Sequence, residues 1–370
     1  MSGDSRALYL GVDGGFSGTR ALLIDGDGRA LGYGRGGNAN HQSVGLNRAL
    51  RNVATAVEEA CAVAGLPTTA IADAHFALTG DDVDDDHEKL TGGLARAWPD
   101  LRFTLSNDVW AGLRGGSTSG IGVAVNCGSG TGAVGRNSQG DAVIIPDNGY
   151  KLGSSGGGGQ IATDAVRAVV RAWDGRGEPT CLTRDVLAIT RQPDVPALYL
   201  AIYRGRVPKA RLRSVTPLVL RAAAAGDAVS IGILRRIGEE MGVAAAAVAR
   251  RLGMQREAFP FVLTGGTIRT LRSVLVDAAV ERARRDAPHC APTLPLLQPV
   301  AGAALSALDM AGAAVAAEHY ARLAEQGYGW HPEETFDGVG SRESGVGSRE
   351  SEVVSRRIRS WRIRTSQHLS

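Results

Sequence analysis

Two apolar runs separated by small residues open the chain at 8–24, LYLGVDGGFSGTRALLI. They predict a strand ending at Asp13, a tight turn through Gly14, Gly15, Ser17, Gly18 and Thr19, and a second strand. A Gly/Asn segment, 34–45, follows. Apolar residues then recur at helical spacing over 46–66, before Gly65 and Pro67. Residues 70–80 read as a strand, 87–99 as a helix and 103–108 as a strand ending at Asp108.

Two further apolar runs at 120–135, GIGVAVNCGSGTGAVG, are joined by a Gly/Ser/Thr turn and repeat the opening design at lower fidelity. The echo predicts two related halves. Residues 148–173 pass from a Gly-rich loop into an amphipathic helix, helical spacing dominates 183–258, and 259–271 read as a strand, a Gly–Gly turn and the start of a helix. A buried helix rich in Ala and Gly, suited to close packing on a sheet, is predicted over 299–320. Beyond Trp330, GVGSRES occurs twice (338–344 and 345–351) before an Arg-rich end, which reads as a disordered tail, 331–370.

A length of 370 residues favours two domains over one. With 44% apolar residues and 50 glycines that follow no fixed period, the composition fits a loop-rich α/β protein. The net charge of +3 misleads, because residues 338–370 carry seven Arg against three Glu, which leaves about −1 for the rest. No nucleic-acid footprint is expected from such a body. No stretch reaches the roughly 18 to 20 continuous apolar residues of a bilayer span, so no membrane role is expected. Cys61, Cys127, Cys181 and Cys290 lie far apart without a CxxC pair, which points to neither zinc nor a disulfide framework and suits a cytoplasmic protein.

Three glycine turns after apolar strands carry the candidate chemistry. The turn at 14–19 can point backbone N–H groups at a phosphate while Asp13 holds a hydrated divalent cation. By itself it is equally an ordinary Gly-rich hairpin. CGSGTG, 127–132, offers a second grip through Ser129 and Thr131, and LTGGT, 263–267, offers glycines against which an adenosine could lie. Phosphoryl transfer needs these parts and a base for the attacking hydroxyl. Asp108 supplies a candidate base, with a helix N-cap as its plain structural reading. No GxxxxGK[ST] is present, and no GxGxxG opens a helix after the first strand with a ribose-binding acid at its usual distance. The acidic run Asp81, Asp82, Asp84, Asp85 and Asp86 reads as a solvated helix start, and Cys127 as a buried structural thiol.

Together these residues resemble the sugar kinase/Hsp70/actin superfamily, and within it the N-acetylglucosamine kinases and BadF/BadG-type ATPases, over about residues 7–323. The resemblance implies a two-lobed α/β fold of the actin-like ATPase type, built from duplicated ribonuclease H-like domains around a nucleotide cleft. It places one lobe at 1–117, completed by 299–323, and the other at 118–298. It implies ATP and Mg²⁺ as cofactors, with Asp13 at the metal and Gly14, Gly15, Ser17, Thr19, Gly130, Thr131, Gly265, Gly266 and Thr267 around the nucleotide. It makes Asp108 the base at the sugar's 6-hydroxyl, with Asn40, Gly149, Tyr150 and Ser154 as further substrate contacts. His41 reads equally as a substrate contact and as a structural hydrogen-bonding group.

The chain departs from the family pattern at two places. In the first turn Phe16 replaces a usual glycine and Gly18 a usual basic residue. In the substrate loop Gly153-Ser154-Ser155-Gly156 stands where Gly-Asp-Glu-Gly is usual, so the carboxylate that would grip sugar hydroxyls is missing. The run Gly156–Gly159 predicts a mobile loop that orders on ligand binding. The reading is an ATP-dependent kinase of a small-molecule amino sugar, most directly N-acetylglucosamine. A kinase of another hexose or cyclitol, a nucleotide-dependent activator or sensor of the BadF/BadG type, and a homodimer stay open.

Overall fold

Apolar alternation on one short segment fixes how the first sheet is covered. Within β1 (Leu8–Gly14), Leu10 and Val12 face one core and Tyr9 the other, so the strand is buried on both sides. The computed structural model describes residues 7–268 and 273–330. They divide into two units, one holding the residues up to Gly120 and those from Pro295 onward, the other Ile121–Leu294.

In the first unit β1 continues through β2 (Thr19–Asp25), β3 (Ala30–Gly36), α1 (His41–Val44), α2 (Leu46–Ala64), β4 (Ile71–Leu78), α3 (Asp84–Ala97), β5 (Arg102–Ser106) and α4 (Val109–Gly116). Its sheet order is β3-β2-β1-β4-β5, antiparallel among the first three strands and parallel from β1 to β5.

The second unit runs β6 (Gly122–Cys127), β7 (Thr131–Arg136), β8 (Ala142–Ile145), then α5 (Gly157–Trp173), α6 (Leu182–Thr190), α7 (Val195–Tyr203), α8 (Lys209–Arg213), α9 (Thr216–Ala224) and α10 (Ala228–Arg251). It closes with β9 (Phe259–Thr264), α11 (Val274–Asp286) and β10 (Cys290–Thr293). Its sheet order is β10-β9-β6-β7-β8, with β6, β7 and β8 antiparallel and β6, β9 and β10 parallel. Counted within each unit, strand order and direction are the same, so the echo between the two hairpins extends to whole sheets.

α12 (Pro299–Met310) and α13 (Ala317–Leu323) return to the first unit. A Cβ on Gly11 would lie 2.1 Å from the Ala304 nitrogen, and one on Gly302 would lie 2.1 Å from the Ala111 oxygen. Small residues thus let α12 approach both β1 and α4 at backbone distance. Buried Arg114 of α4 grips Asp309 bidentately, Nε to Oδ2 at 2.6 Å and Nη2 to Oδ1 at 3.0 Å. The Tyr320 hydroxyl donates to the Arg114 carbonyl at 2.6 Å.

Three expectations are corrected. The helix predicted over 299–320 is two helices, broken at Gly312, whose φ of +75° no regular helix accepts. The Gly/Asn segment contains the end of β3 and all of α1. The tetraglycine run is helix for most of its length: α5 starts at Gly157, and the Gly158 and Gly159 N–H groups donate to Gly128 and Ser129 carbonyls at 2.8 and 3.0 Å. The tail predicted over 331–370 lies outside the described residues. Among those described, no single helix is long and apolar enough to cross a membrane.

Candidate functional site

Each unit contributes its own constellation. In the first, the turn after β1 is tied on three sides: Gly15 N to Gly18 O at 2.9 Å, Ala39 N to Gly15 O at 3.1 Å, and Thr79 N to Gly14 O at 2.8 Å. Gly14 is buried against Leu78 and Ala39, whereas Ser17 is exposed at the tip. The Thr19 hydroxyl is turned inward and donates to the Gly37 carbonyl at 2.7 Å, so that proton is engaged in the fold.

Asp13 is buried at the end of β1, and loss of hydration raises its carboxyl above the usual range despite the opposing Arg20 cation. Hairpin register pairs the two residues, and Arg20 Nη1 lies 3.8 Å from Asp13 Oδ2. Sequence reading missed Arg20, although counting strand positions outward from the turn would have placed it opposite Asp13. It gives this turn a basic group that Gly18 does not.

Asp108 precedes α4 at the N-cap position, yet its backbone is already helical (φ −61°, ψ −22°) and its side chain makes no capping bond. Neighbouring Asn107 does that work, accepting from Val109 N at 3.1 Å and donating to Asp82 Oδ1 at 2.8 Å. The plain N-cap reading of Asp108 therefore fails. Burial first, then the charges of Asp13 and Asp82, push its carboxyl up to about 8. Asn107, bonded to Asp82, thus caps α4 in place of Asp108, which spacing alone did not reveal.

The acidic run is divided and not uniformly solvated. Asp84, Asp85 and Asp86 form the first turn of α3, but Asp86 and Asp81 are buried. Asp86 Oδ1 meets His41 Nε2 at 2.9 Å and Asp81 Oδ1 meets His87 Nδ1 at 3.0 Å. Asn40 caps α1 by accepting from Ser43 N at 2.8 Å. Its side-chain oxygen is therefore engaged in the fold.

In the second unit, parallel pairing of β6 with β9 places Asn126 beside Thr264, so the CGSGTG turn and the TGGT turn emerge together. Thr267 N donates to Cys127 O at 3.0 Å, and Gly265 adopts φ +99° where a Cβ would stand 2.5 Å from the Cys127 carbonyl carbon. Gly266 lies in the same turn. Gly157, at φ +74°, packs so closely behind the CGSGTG turn that a Cβ would lie 2.4 Å from Gly130 Cα. Burial pushes the Cys127 thiol up to about 11, in keeping with a structural role. Thr131 Oγ1 is buried and has no hydrogen-bond partner among the described residues.

The loop after β8 holds Gly149, Tyr150 and Ser154. Ser154 Oγ accepts from Asn148 N at 3.0 Å and donates to Pro146 O at 3.2 Å, stapling the loop. Tyr150 is 78% exposed. Asp147, missed in the sequence, accepts from Thr131 N at 3.2 Å through Oδ2 and from Gly149 N at 3.2 Å through Oδ1.

These parts fit a nucleotide and a divalent ion in kind. The turns are built of small residues that allow close approach to the backbone, and, beyond burial, Asp13 raises the Asp108 carboxyl through like charge that a hydrated cation would offset. Among the described residues, no cluster of three or more His, Cys, Asp or Glu side chains could cage a metal by itself.

The model of the BadF/BadG/BcrA/BcrD ATPase family matches residues 10–307. N-acetyl-D-glucosamine kinase of Dictyostelium discoideum is 27% identical over 82% of this chain and 99% of its own. A Chromobacterium violaceum protein assigned, without proof of activity, as an N-acetylglucosamine kinase shares 28% identity and a TM-score of 0.64, over 82% of this chain and 99% of its own. A ROK family glucokinase from Streptomyces griseus, solved with glucose and AMPPNP, shares the fold at a TM-score of 0.55 and 17% identity, covering 82% of this chain and 100% of that one.

Proposed function

The chain belongs to the BadF/BadG/BcrA/BcrD ATPase family, and from that premise we propose that it transfers the terminal phosphoryl group of ATP to the primary hydroxyl of an amino sugar, N-acetylglucosamine first. The observation that carries this reading within the molecule is Asp108. Its carboxylate makes no capping bond to α4, a duty taken by the neighbouring Asn107. A carboxyl pushed up to about 8 by burial and by Asp13 is basic enough to take the proton of a sugar hydroxyl.

Asp108 is the base, and Asn107 takes over the capping of α4 beside it. Asp13 orients a hydrated Mg²⁺, which when bound supplies charge neutralisation for the phosphates. Ser17 presents donors to one part of the nucleotide, Gly14 and Gly15 let that part approach the backbone of the turn, and Arg20 adds the cation. Gly130 and Thr131 serve a second phosphate grip, and Gly265, Gly266 and Thr267 form the wall for adenosine. Asn40 and the loop of Gly149, Tyr150 and Ser154 recognise the sugar.

The test is incubation with ATP, Mg²⁺ and a panel of hexosamines, hexoses and cyclitols, with products read by mass. N-acetylglucosamine should gain one phosphoryl group per ATP consumed. A phosphorylated hexose or cyclitol in its place would move the substrate, and ATP hydrolysis with no phosphorylated product would replace the kinase reading by that of an ATPase.

A further inference from the structure

The loop that lacks the usual paired carboxylates has one two residues before the tight Gly149–Gly153 bend, and it points at the nucleotide turn. Asp147 Oδ2 accepts from Thr131 N at 3.2 Å, and it lies so close over Gly130 that a Cβ there would be 1.5 Å from it. Its other oxygen accepts from Gly149 N at 3.2 Å, and the Ser154 hydroxyl closes the loop between Asn148 N and Pro146 O. A carboxylate seated on the N–H of a glycine turn uses the same donor that a phosphate oxygen would use. Both cannot hold it at once.

We propose that Asp147 is a built-in competitor for the phosphate seat of the 128–131 turn, so that nucleotide entry displaces its carboxylate and frees the 146–154 loop. The inference rests on the nucleotide reading of that turn given above. Two features make the contact a gate and not merely a turn stabiliser. Asp147 is an exposed residue, so its side chain can swing into water without breaking a core. The turn beneath it is held from behind, by Gly158 N on Gly128 O and Gly159 N on Ser129 O, so the seat stays formed when the carboxylate leaves. The loop that is released carries Gly149, Tyr150 and Ser154, which couples nucleotide binding to the sugar-recognition segment. When a competent form is populated only in part, apparent affinity falls by that fraction, and removal of the competitor restores it.

The experiment measures ADP binding by calorimetry in EDTA, so that no metal enters, for the wild-type chain, Asp147→Ala and Asp147→Asn. Asp147→Ala should bind ADP about tenfold more tightly if the seat is filled about nine-tenths of the time. Asp147→Asn, uncharged but still able to accept, should fall between the two. Hydrogen exchange over 146–154 should quicken on ADP binding in the wild type and be fast from the start in Asp147→Ala. Equal or weaker ADP binding by Asp147→Ala overturns the gate, as does a loss of affinity that appears only when Mg²⁺ is added, which would make Asp147 a metal-side residue. Absence of ADP binding in both proteins, with each folded by circular dichroism, removes the nucleotide site and the gate with it.

Discussion

The two units share strand order and direction but use their first hairpin turns in opposite ways. The turn at 14–18 sits between a buried carboxylate, Asp13, and its cross-strand cation, Arg20, and its tip residue Ser17 is exposed. The turn at 128–130 has no charged strand residue beside it. Its backbone carries the start of α5 behind and Asp147 in front. One topology therefore serves two purposes: the first turn concentrates charge at the end of a sheet, and the second provides a backbone platform. The proposed base, Asp108, falls on the charged side, and its raised carboxyl owes part of its shift to Asp13.

Removing that base should give the largest effect. Asp108→Asn is expected to lower phosphoryl transfer by about 10²- to 10⁴-fold while ADP binding persists. Near-normal turnover by this variant would move the chemistry elsewhere. The base works ionised, so wild-type kcat/KM should rise with pH through about 8, and the residual rate of Asp108→Asn should lack that limb. Stability should run the other way. Between the ordinary carboxylate range and about pH 8 the folded chain keeps a proton that the unfolded chain releases, so stability falls as pH rises across that window. Thermal unfolding at pH 6 and pH 8 should show this slope in the wild type and a smaller one in Asp108→Asn.

The platform reading is tested by adding single methyl groups. At Gly157 a Cβ would meet Gly130 Cα at 2.4 Å and φ is +74°, whereas at Gly153 φ is +95° but nothing lies within 4 Å. Gly157→Ala should cost about 1 to 3 kcal/mol through crowding on top of the conformational penalty, and Gly153→Ala only the latter, about 1 to 2 kcal/mol. Denaturant midpoints measure both. Gly11→Ala, crowding the Ala304 nitrogen at 2.1 Å, is the matching change in the first unit. Similar midpoints for Gly157→Ala and Gly153→Ala would show that the close packing behind the second turn carries little energy.

These glycines also explain what the sequence did and did not disclose. The hairpin at 8–24, α2, β4 and the strand before Asp108 were legible because apolar spacing alone sets them. β3, ALGYGRG, was not, since three glycines argue against a strand. In the fold, Gly32, Gly34 and Gly36 face α2, where a Cβ would lie 2.0 Å from the carbonyls of Ala60, Ala56 and Asn52. The tetraglycine run was misread for the same reason: glycine permits both mobility and close approach, and only the neighbour decides which. Arg20 and Asp147 needed register and loop closure, which composition does not carry. Asp108 was visible as a strand-end carboxylate, but Asn107, which relieves it of capping, became apparent only in three dimensions.

Arg20 gives a smaller effect on the charged side. Arg20→Gln removes the cation that stands in for the usual basic residue of the turn, and KM for ATP should rise about tenfold, the equivalent of one charge-assisted contact. The corresponding sheet position of the second unit offers no such target, because Gly132 follows Thr131 there. An unchanged KM would leave Arg20 as a partner of Asp13 alone, and then the Asp13 carboxyl of the variant should titrate higher, since the cation now opposes its rise.

The smallest expected change distinguishes scaffold from recognition in the substrate loop. Ser154 accepts from Asn148 N and donates to Pro146 O, so its hydroxyl is already satisfied within the loop. Ser154→Ala should therefore quicken hydrogen exchange of 148–154 and shift KM for the sugar by no more than about threefold, since one exposed and one part-buried hydrogen bond contribute about 0.5 to 1.5 kcal/mol each and water replaces much of that. If the hydroxyl instead turned out to grip the sugar, KM would rise by a decade with exchange unchanged. The family's carboxylate would then have been replaced in function as well as in position, and the loop would belong with the charged turn of the first unit and not with the backbone platform of its own.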